Sequence, residues 1–281
     1  MNIKLSPPNH AHYTQTTPLR VLTDSEFKSI QIEVLNEFHE FCTLHKLRYS
    51  LCAGTLIGAI RHKGYIPWDD DIDVMMPRSD YEVFLSMYKS EKYTIFHYRK
   101  QREYAMPYAK LSHNNTLVVE DTRHKAGFGV NIDIFPLDYF PKGLTESRRW
   151  SKRLQILKNI KTIKDLTLSK QRPFCKNVVI LIGRFIFSVI PINWLVKKID
   201  IYAQIHNAAV SGFVGNMTNG YGMKERVAIA SSSVEVLFEG RKYNAVNNYD
   251  VYLKSLFGDY MQLPPVHERQ PHHDFVAFFR D

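Results

Sequence analysis

The chain has 281 residues, 44% hydrophobic and 13% aromatic, with a formal net charge of +9. That size and composition support a real core in one large domain, or one domain with an appended helical part, and exclude a largely disordered chain. The positive surplus calls for an anionic partner. With no aromatic-interleaved basic repeat and no RNA-binding signature, nucleic acid is set aside in favour of a phosphorylated substrate or an anionic lipid.

Residues 1–22, with Pro7, Pro8 and Pro18, read as an irregular lead-in without the apolar core of a signal peptide. Cys42, Cys52 and Cys175 are too widely spaced for a disulfide framework or a metal pattern, so a cytoplasmic location is expected. Thr23 and Glu26 have the spacing of a capping box. Phe27, Ile30, Val34, Phe38 and Phe41 then mark one face of a helix ending near His45. Tyr49 to Cys52 reads as a short strand, Ala53-Gly54-Thr55 as a turn, and Leu56 to Ile60 as a short helix. Gly64 and Pro67 break the chain. Asp71 to Met76 alternates polar and apolar residues as a half-buried strand does, and Ser79 or Asp80 is expected to cap the helix carrying Tyr81, Phe84, Leu85 and Tyr88. Further strands are expected over Tyr93–Tyr98, Tyr108–Leu111, Thr116–Glu120 and Gly129–Phe135. This order predicts an α+β fold, a mixed sheet flanked by helices, with a catalytic core over 23–144.

From 145 to 235 the chain reads as a mostly helical basic appendage. Arg148, Arg149, Lys152, Arg153, Lys158, Lys161 and Lys164 punctuate an apolar pattern. Asn177 to Val196 is strongly hydrophobic, but Arg184 interrupts it and Pro191 breaks it. A spanning helix needs roughly 20 apolar residues with few charges, so this stretch reads as a buried helix or one lying on a membrane surface. Residues 236–281 are expected to pack back on the active site.

The chemistry concentrates in Trp68-Asp69-Asp70-Asp71-Ile72-Asp73-Val74. Asp71 and Asp73, two apart in a strand, point to one face. Paired carboxylates repel unless a cation neutralises them, and a hard divalent ion does so through oxygen ligands. A lone acidic triplet is commonly a solvated loop, but such a loop has no need of the interleaved Ile72, Val74 and two methionines. The alternation selects Asp71 and Asp73 and leaves Asp69 and Asp70 at the lip. Asp133, flanked by Ile132 and Ile134, is costly to leave unpaired. It is either a third ligand or a structural carboxylate held by backbone amides or a cation. Gly54 and Thr55 form either a phosphate-approaching turn or an ordinary strand-to-helix connection.

Apolar-Gly-Thr, Asp-apolar-Asp-apolar and apolar-Asp-apolar, in that order, resemble the nucleotidyltransferase fold. The run from Gly54 to Val74 is similar to the hallmark stretch of the LicD family, which includes bacterial phosphocholine transferases and is related to the fukutin group. The resemblance continues through Asp133-Ile134-Phe135-Pro136-Leu137-Asp138, Phe238-Glu239-Gly240, Phe257-Gly258-Asp259-Tyr260-Met261, Leu263-Pro264-Pro265 and His272-His273. It is weakest over 145–235. It implies transfer of phosphocholine, or a similar phospho-alcohol, from a CDP-activated donor such as CDP-choline. The acceptor would be a hydroxyl of a surface glycan such as lipopolysaccharide or teichoic acid, and CMP would be released. The charge and hydrophobicity of the basic helical region predict that it holds the protein near a lipid-linked acceptor at the inner face of the cytoplasmic membrane.

On this resemblance Asp71, Asp73 and Asp133 hold Mg²⁺ or Mn²⁺, Asp133 also helps to deprotonate the acceptor, and Gly54 and Thr55 contact phosphate. Arg61, His62 and Lys63 either hold diphosphate oxygens or form a basic surface loop. Lys110 is a phosphate ligand or a solvated edge lysine. Trp68 packs under the site or stacks on a base. His272 and His273 are acid–base groups, or surface residues; Glu239 and Asp259 are equally open. A choline donor would call for an aromatic cage, with Tyr221, Tyr243, Tyr249, Tyr252, Phe257 and Tyr260 as candidates. A true nucleotidyltransferase acting on a small molecule or RNA, and a ribitol or glycerol phosphate transferase, are the competing readings.

Overall fold

The computed structural model describes residues 19–120, 122–169, 172–209, 211–220, 222–226, 232–270 and 275–280. Strand β1 (Leu19–Val21) leads into helix α1 (Asp24–Leu44). The capping box forms as expected: Thr23 Oγ1 accepts from the Glu26 amide and the Glu26 carboxylate from the Thr23 amide. Strand β2 (Ser50–Leu51) is followed by α2 (Ala53–Ile57), which winds directly into a π-turn over Gly58–His62. Next come β3 (Asp73–Pro77), α3 (Arg78–Met87), β4 (Tyr93–Phe96), β5 (Ala109–His113), β6 (Thr116–Glu120) and β7 (Asn131–Tyr139). Helices α4 (Leu144–Asp165), α5 (Phe174–Ile186) and α6 (Ile192–Ala203) follow, then β8 (Val214–Gly215), β9 (Ser233–Phe238), β10 (Arg241–Val246), α7 (Tyr249–Phe257) and β11 (Phe275–Arg280).

The main sheet has the order β2-β3-β7-β5-β4, with β8 against the far end of β7. Only its β3–β7 pair is parallel among the described pairings, so the sheet is mixed and the fold α+β. A smaller antiparallel sheet has the order β1-β11-β6, and β9 and β10 form a hairpin. The face of α1 that carries Val34, Leu35, Phe38 and Cys42 packs with Tyr81, Phe84 and Leu85 of α3 and with Val74, Met75, Ile132 and Ile134 of the sheet. Full burial of each such side chain stabilises by about 1.5–3 kcal/mol.

Three expectations are corrected. Residues 19–21, read as part of an irregular lead-in, pair with β11, a partner too distant in sequence for local pattern to reveal. The strand expected from Asp71 starts at Asp73, so Asp71 stands in the loop entering it. Helix α3 begins at Arg78 with no side-chain cap; the Asp80 carboxylate instead accepts from the Arg48 amide and guanidinium.

The basic helical region has its own core of Phe140, Trp150, Leu154, Ile199, Ala203 and Met217. A buried ion cluster joins it to the sheet. The Arg78 guanidinium donates to both Asp138 oxygens at 2.8 and 2.6 Å and to Asp200 Oδ1 at 2.8 Å. Among the described residues, no helix is long and apolar enough to cross a membrane.

Candidate active site

The pairing of three strands generates the site. Asp73 of β3 is in register with Asp133 of β7, and Asp133 with Lys110 of β5. Directly paired residues project to the same face of a sheet, so two carboxylates and an ammonium form a row across it. Lys110 is neither solvated nor on an edge: it is buried, and its Nζ donates to Asp133 Oδ1 at 2.5 Å and to Asn131 Oδ1 at 3.1 Å. Burial raises the pKa of the Tyr108 hydroxyl well above its ordinary value, and the nearby charge of the same aspartate adds to the rise.

The acidic loop closes over this row. Carboxylate oxygens of Asp69, Asp70 and Asp71 gather within 4.8 Å of one another. Asp69 is therefore not a lip residue; it is buried, and its pKa is pushed up to about 7 by burial and by repulsion from Asp71 and Asp70. Asp73 is raised well above the usual carboxylate range, first by burial and then by Asp71, Asp133 and Asp69, with Lys110 opposing. These are the marks of negative charge assembled beyond what the local cation compensates.

The preceding turn is built around these carboxylates. A Cβ added at Gly54 would lie 2.6 Å from Asp69 Oδ2, so a larger residue there would displace the carboxylate from its present position. Ala53 adopts a positive φ of 45°, a strained conformation of the kind found where structure over-determines the backbone. The buried Thr55 hydroxyl accepts from the Asp73 amide at 2.8 Å and so orients the strand that carries Asp73.

The basic trio does not converge on this cluster as a set. Arg61 Nη1 donates to the carbonyls of Tyr260 and Gln262 at 2.7 and 3.3 Å, and its Nε donates to His62 Nε2 at 2.9 Å. Lys63 Nζ donates to the Ile60 carbonyl. Arg61 thus ties the C-terminal segment to the π-turn. The β9–β10 hairpin docks beside it, where Glu239 Oε1 accepts from the Tyr65 amide. Trp68 packs against the main core with the Arg269 guanidinium 5.5 Å above its ring.

Gln31 escaped the sequence reading. Its Nε2 donates to the carbonyls of Asp70 and Asn131, and its Oε1 accepts from the Tyr65 hydroxyl, so it braces the acidic loop against β7. A buried glutamine between Phe27 and Val34 on the apolar face of α1 was the available signal. Glu120, at the end of β6, exerts its field on Lys110 and Tyr108. His272, His273 and Tyr221 lie outside the described residues. Tyr243, Tyr252 and Tyr260 are buried in the core, and the Tyr260 hydroxyl donates to Asp250. A separate cleft of about 860 Å³ opens at the other end of β3 and β7, lined by Arg48, Ser79, Leu137 and Tyr139 among others.

A group of hard oxygen donors crowded at one sheet end, with two members raised in pKa by burial and mutual repulsion, suits a hard divalent cation. Three comparisons bear on that chemistry. The family model described as "LicD/FKTN/FKRP, nucleotidyltransferase domain" matches residues 46–176. The lipopolysaccharide cholinephosphotransferase LicD of Haemophilus influenzae is 30% identical over 271 residues, 92% of this chain and 99% of that protein. An uncharacterised protein of Rickettsia typhi is 35% identical over 77 residues, covering 26% of this chain and 25% of its own.

Proposed function

This chain belongs to the LicD family, and from that premise we propose that it transfers phosphocholine, or a similar phospho-alcohol, from a CDP-linked donor to a hydroxyl of a surface glycan such as lipopolysaccharide. The observation that carries this reading is the row Asp73–Asp133–Lys110 beneath the Asp69–Asp71 loop, in a chain that matches a cholinephosphotransferase over nearly its whole length.

In this mechanism Asp71 and Asp73 would hold Mg²⁺ or Mn²⁺, with Asp69 and Asp133 adding negative field beside them. The bound ion supplies charge neutralisation at the donor diphosphate and at the transferring phosphoryl group. The acceptor oxygen bonds to the distal phosphorus, the bond to the bridging oxygen breaks, and CMP leaves. Asp133 takes the acceptor proton, while Lys110 holds its carboxylate in place. Thr55 and Gln31 fix the backbone of the acidic loop, so the donor groups are positioned before substrate arrives.

The test incubates the protein with Mg²⁺, lipopolysaccharide acceptor and, separately, CDP-choline, CDP-ribitol, CDP-glycerol or CTP. CMP formed from one CDP-alcohol, with label transferred to glycan, supports the reading. Diphosphate formed from CTP would establish a nucleotidyltransferase instead.

A further inference from the structure

Helix α5 is seated by a narrow side. Ile180 and Gly183 are its buried residues, and a Cβ at Gly183 would stand 2.8 Å from Ile163 of α4. The Arg184 Nε donates to the Ile163 carbonyl and Lys164 Nζ to the Phe187 carbonyl, which clamps the end of α5 to α4. The other side carries Phe174, Val178, Leu181, Ile182, Phe185 and Ile186, spaced three and four apart, and the next turn adds Val189. At 100° per residue these side chains fill a broad arc that holds no charged residue. Phe174, Phe185 and Val189 are 83%, 82% and 86% exposed. Within the described residues no element covers this face, and an exposed apolar patch of this kind marks an interaction site.

Charge identifies the occupant. Residues 141–200 contain 14 Lys and Arg against three Asp and Glu, a net +11. The remaining residues contain 23 against 25, a net −2, so the positive surplus of the chain resides wholly in the segment that bears the apolar face. Lys176 in the first turn of α5 and Lys197 and Lys198 on α6 of the same basic region are exposed. Trp194 is also exposed, with Lys198 Nζ 5.5 Å from its ring centre. An exposed apolar arc in a lysine-rich helical region that also exposes a tryptophan matches the interface of an anionic bilayer: acyl chains take the aliphatic and phenyl groups, and headgroups take the cations and indole.

We infer that α5 is an interfacial membrane anchor, lying in the plane of an anionic lipid surface. The helix it is clamped to, α4, is tied to the loop that follows β6. The Asp165 carboxylate, in the last turn of α4, pairs with His124 Nδ1, and the Arg123 amide donates to the Asp165 carbonyl. Arg123 and His124 belong to the loop that leaves β6 just after Glu120. The anchor itself does not depend on the transferase reading, because its test measures lipid binding and not turnover.

The full-length protein is to be sedimented with vesicles of phosphatidylglycerol and phosphatidylcholine in equal parts, and with phosphatidylcholine alone. Binding is expected to the first and to be weakened by salt. The double variant Phe174→Ser/Phe185→Ser should bind at least about 100-fold more weakly, and Lys197→Gln/Lys198→Gln roughly 30-fold more weakly. All four side chains are exposed, and an unchanged melting temperature verifies the fold. No sedimentation with anionic vesicles, or sedimentation unaltered by the phenylalanine variant, overturns the anchor. So does a stable dimer in light scattering that the same variant dissolves, because the face then belongs to a second copy.

Discussion

Asp73 stands half-buried among like charges, and its amide is held by Thr55. The carboxylate is thus costly to the apo fold while serving to gather a cation. Replacing it with asparagine keeps the shape and removes the repulsion from Asp71, Asp133 and Asp69. Asp73→Asn should therefore melt at a higher temperature than the parent without divalent metal, yet lose most of the upward shift that Mg²⁺ or Mn²⁺ gives the parent. Turnover should fall by roughly a hundredfold or more. Calorimetry with and without metal, beside CMP release, reads all three; a variant that melts lower without metal would remove the charge-crowding account. Asp73 and Asp133 could be singled out in the sequence because each interrupts an apolar strand. The place of Asp69 could not, since its burial depends on Gly54 coming within contact of a side chain 15 positions later. The same limit applies to Thr55 and Arg61, whose types suggest phosphate but whose partners are a backbone amide and two carbonyls.

At the scale of elements, the helical region is joined to the sheet through a residue that sits in neither core. Arg78, at the start of α3, is bidentate to Asp138 of β7 and also bonds Asp200 of α6. Its charge is held well above its ordinary pKa by those carboxylates against the opposing effect of burial. Arg78→Met leaves both aspartates buried without their cation and should cost about 3–5 kcal/mol in denaturant unfolding. Adding Asp138→Asn and Asp200→Asn should recover part of that loss, which a merely steric effect would not. His97, after β4, makes a second prediction. Its ring is buried, Nδ1 accepts from the Arg99 amide, and burial with nearby Arg99 lowers its pKa to about 3. Below about pH 6.5 the unfolded chain binds a proton that the folded chain refuses until about pH 3, so stability falls as pH drops through that window. In His97→Asn, proton uptake on unfolding near pH 5 should diminish by about one proton; an unchanged acid limb would contradict it. Helices α1 and α3 were legible from their three-and-four spacing, and β6 from its β-branched run. The start of α3 was not, because Ser79 and Asp80 resemble caps while Asp80 is engaged by Arg48.

Across the whole molecule, the net charge of +9 does not describe a uniformly basic surface. It is the sum of a basic, apolar-faced helical region and a slightly acidic remainder that carries a carboxylate cluster at one sheet end. The composition announced an anionic partner but could not separate a phosphorylated substrate from lipid, because it carries no positions. The structure distributes the cations, and it divides the hydrophobic run after Asn177: Ile180, Leu195 and Val196 are buried, while Val179, Leu181, Ile182, Phe185, Ile186 and Val189 are exposed.

The small sheet has a kinetic consequence. Strand β11 lies between β1 and β6, so neither outer strand has a sheet partner in this unit until residues 275–280 arrive. Closing that sheet joins segments separated by most of the chain, and such loops incur their entropic cost before any contact repays it. The main sheet takes its strands from residues 50–139, with β8 added at its edge, and can assemble on more local pairings. Refolding from denaturant should therefore show an early phase in which the main sheet forms, followed by a slower one in which the Leu22–Phe27–Ala277 core becomes protected from hydrogen exchange. Until that second phase ends, the exposed edges of β1 and β6 are where two refolding chains would pair wrongly, and the yield of refolded protein should fall with concentration.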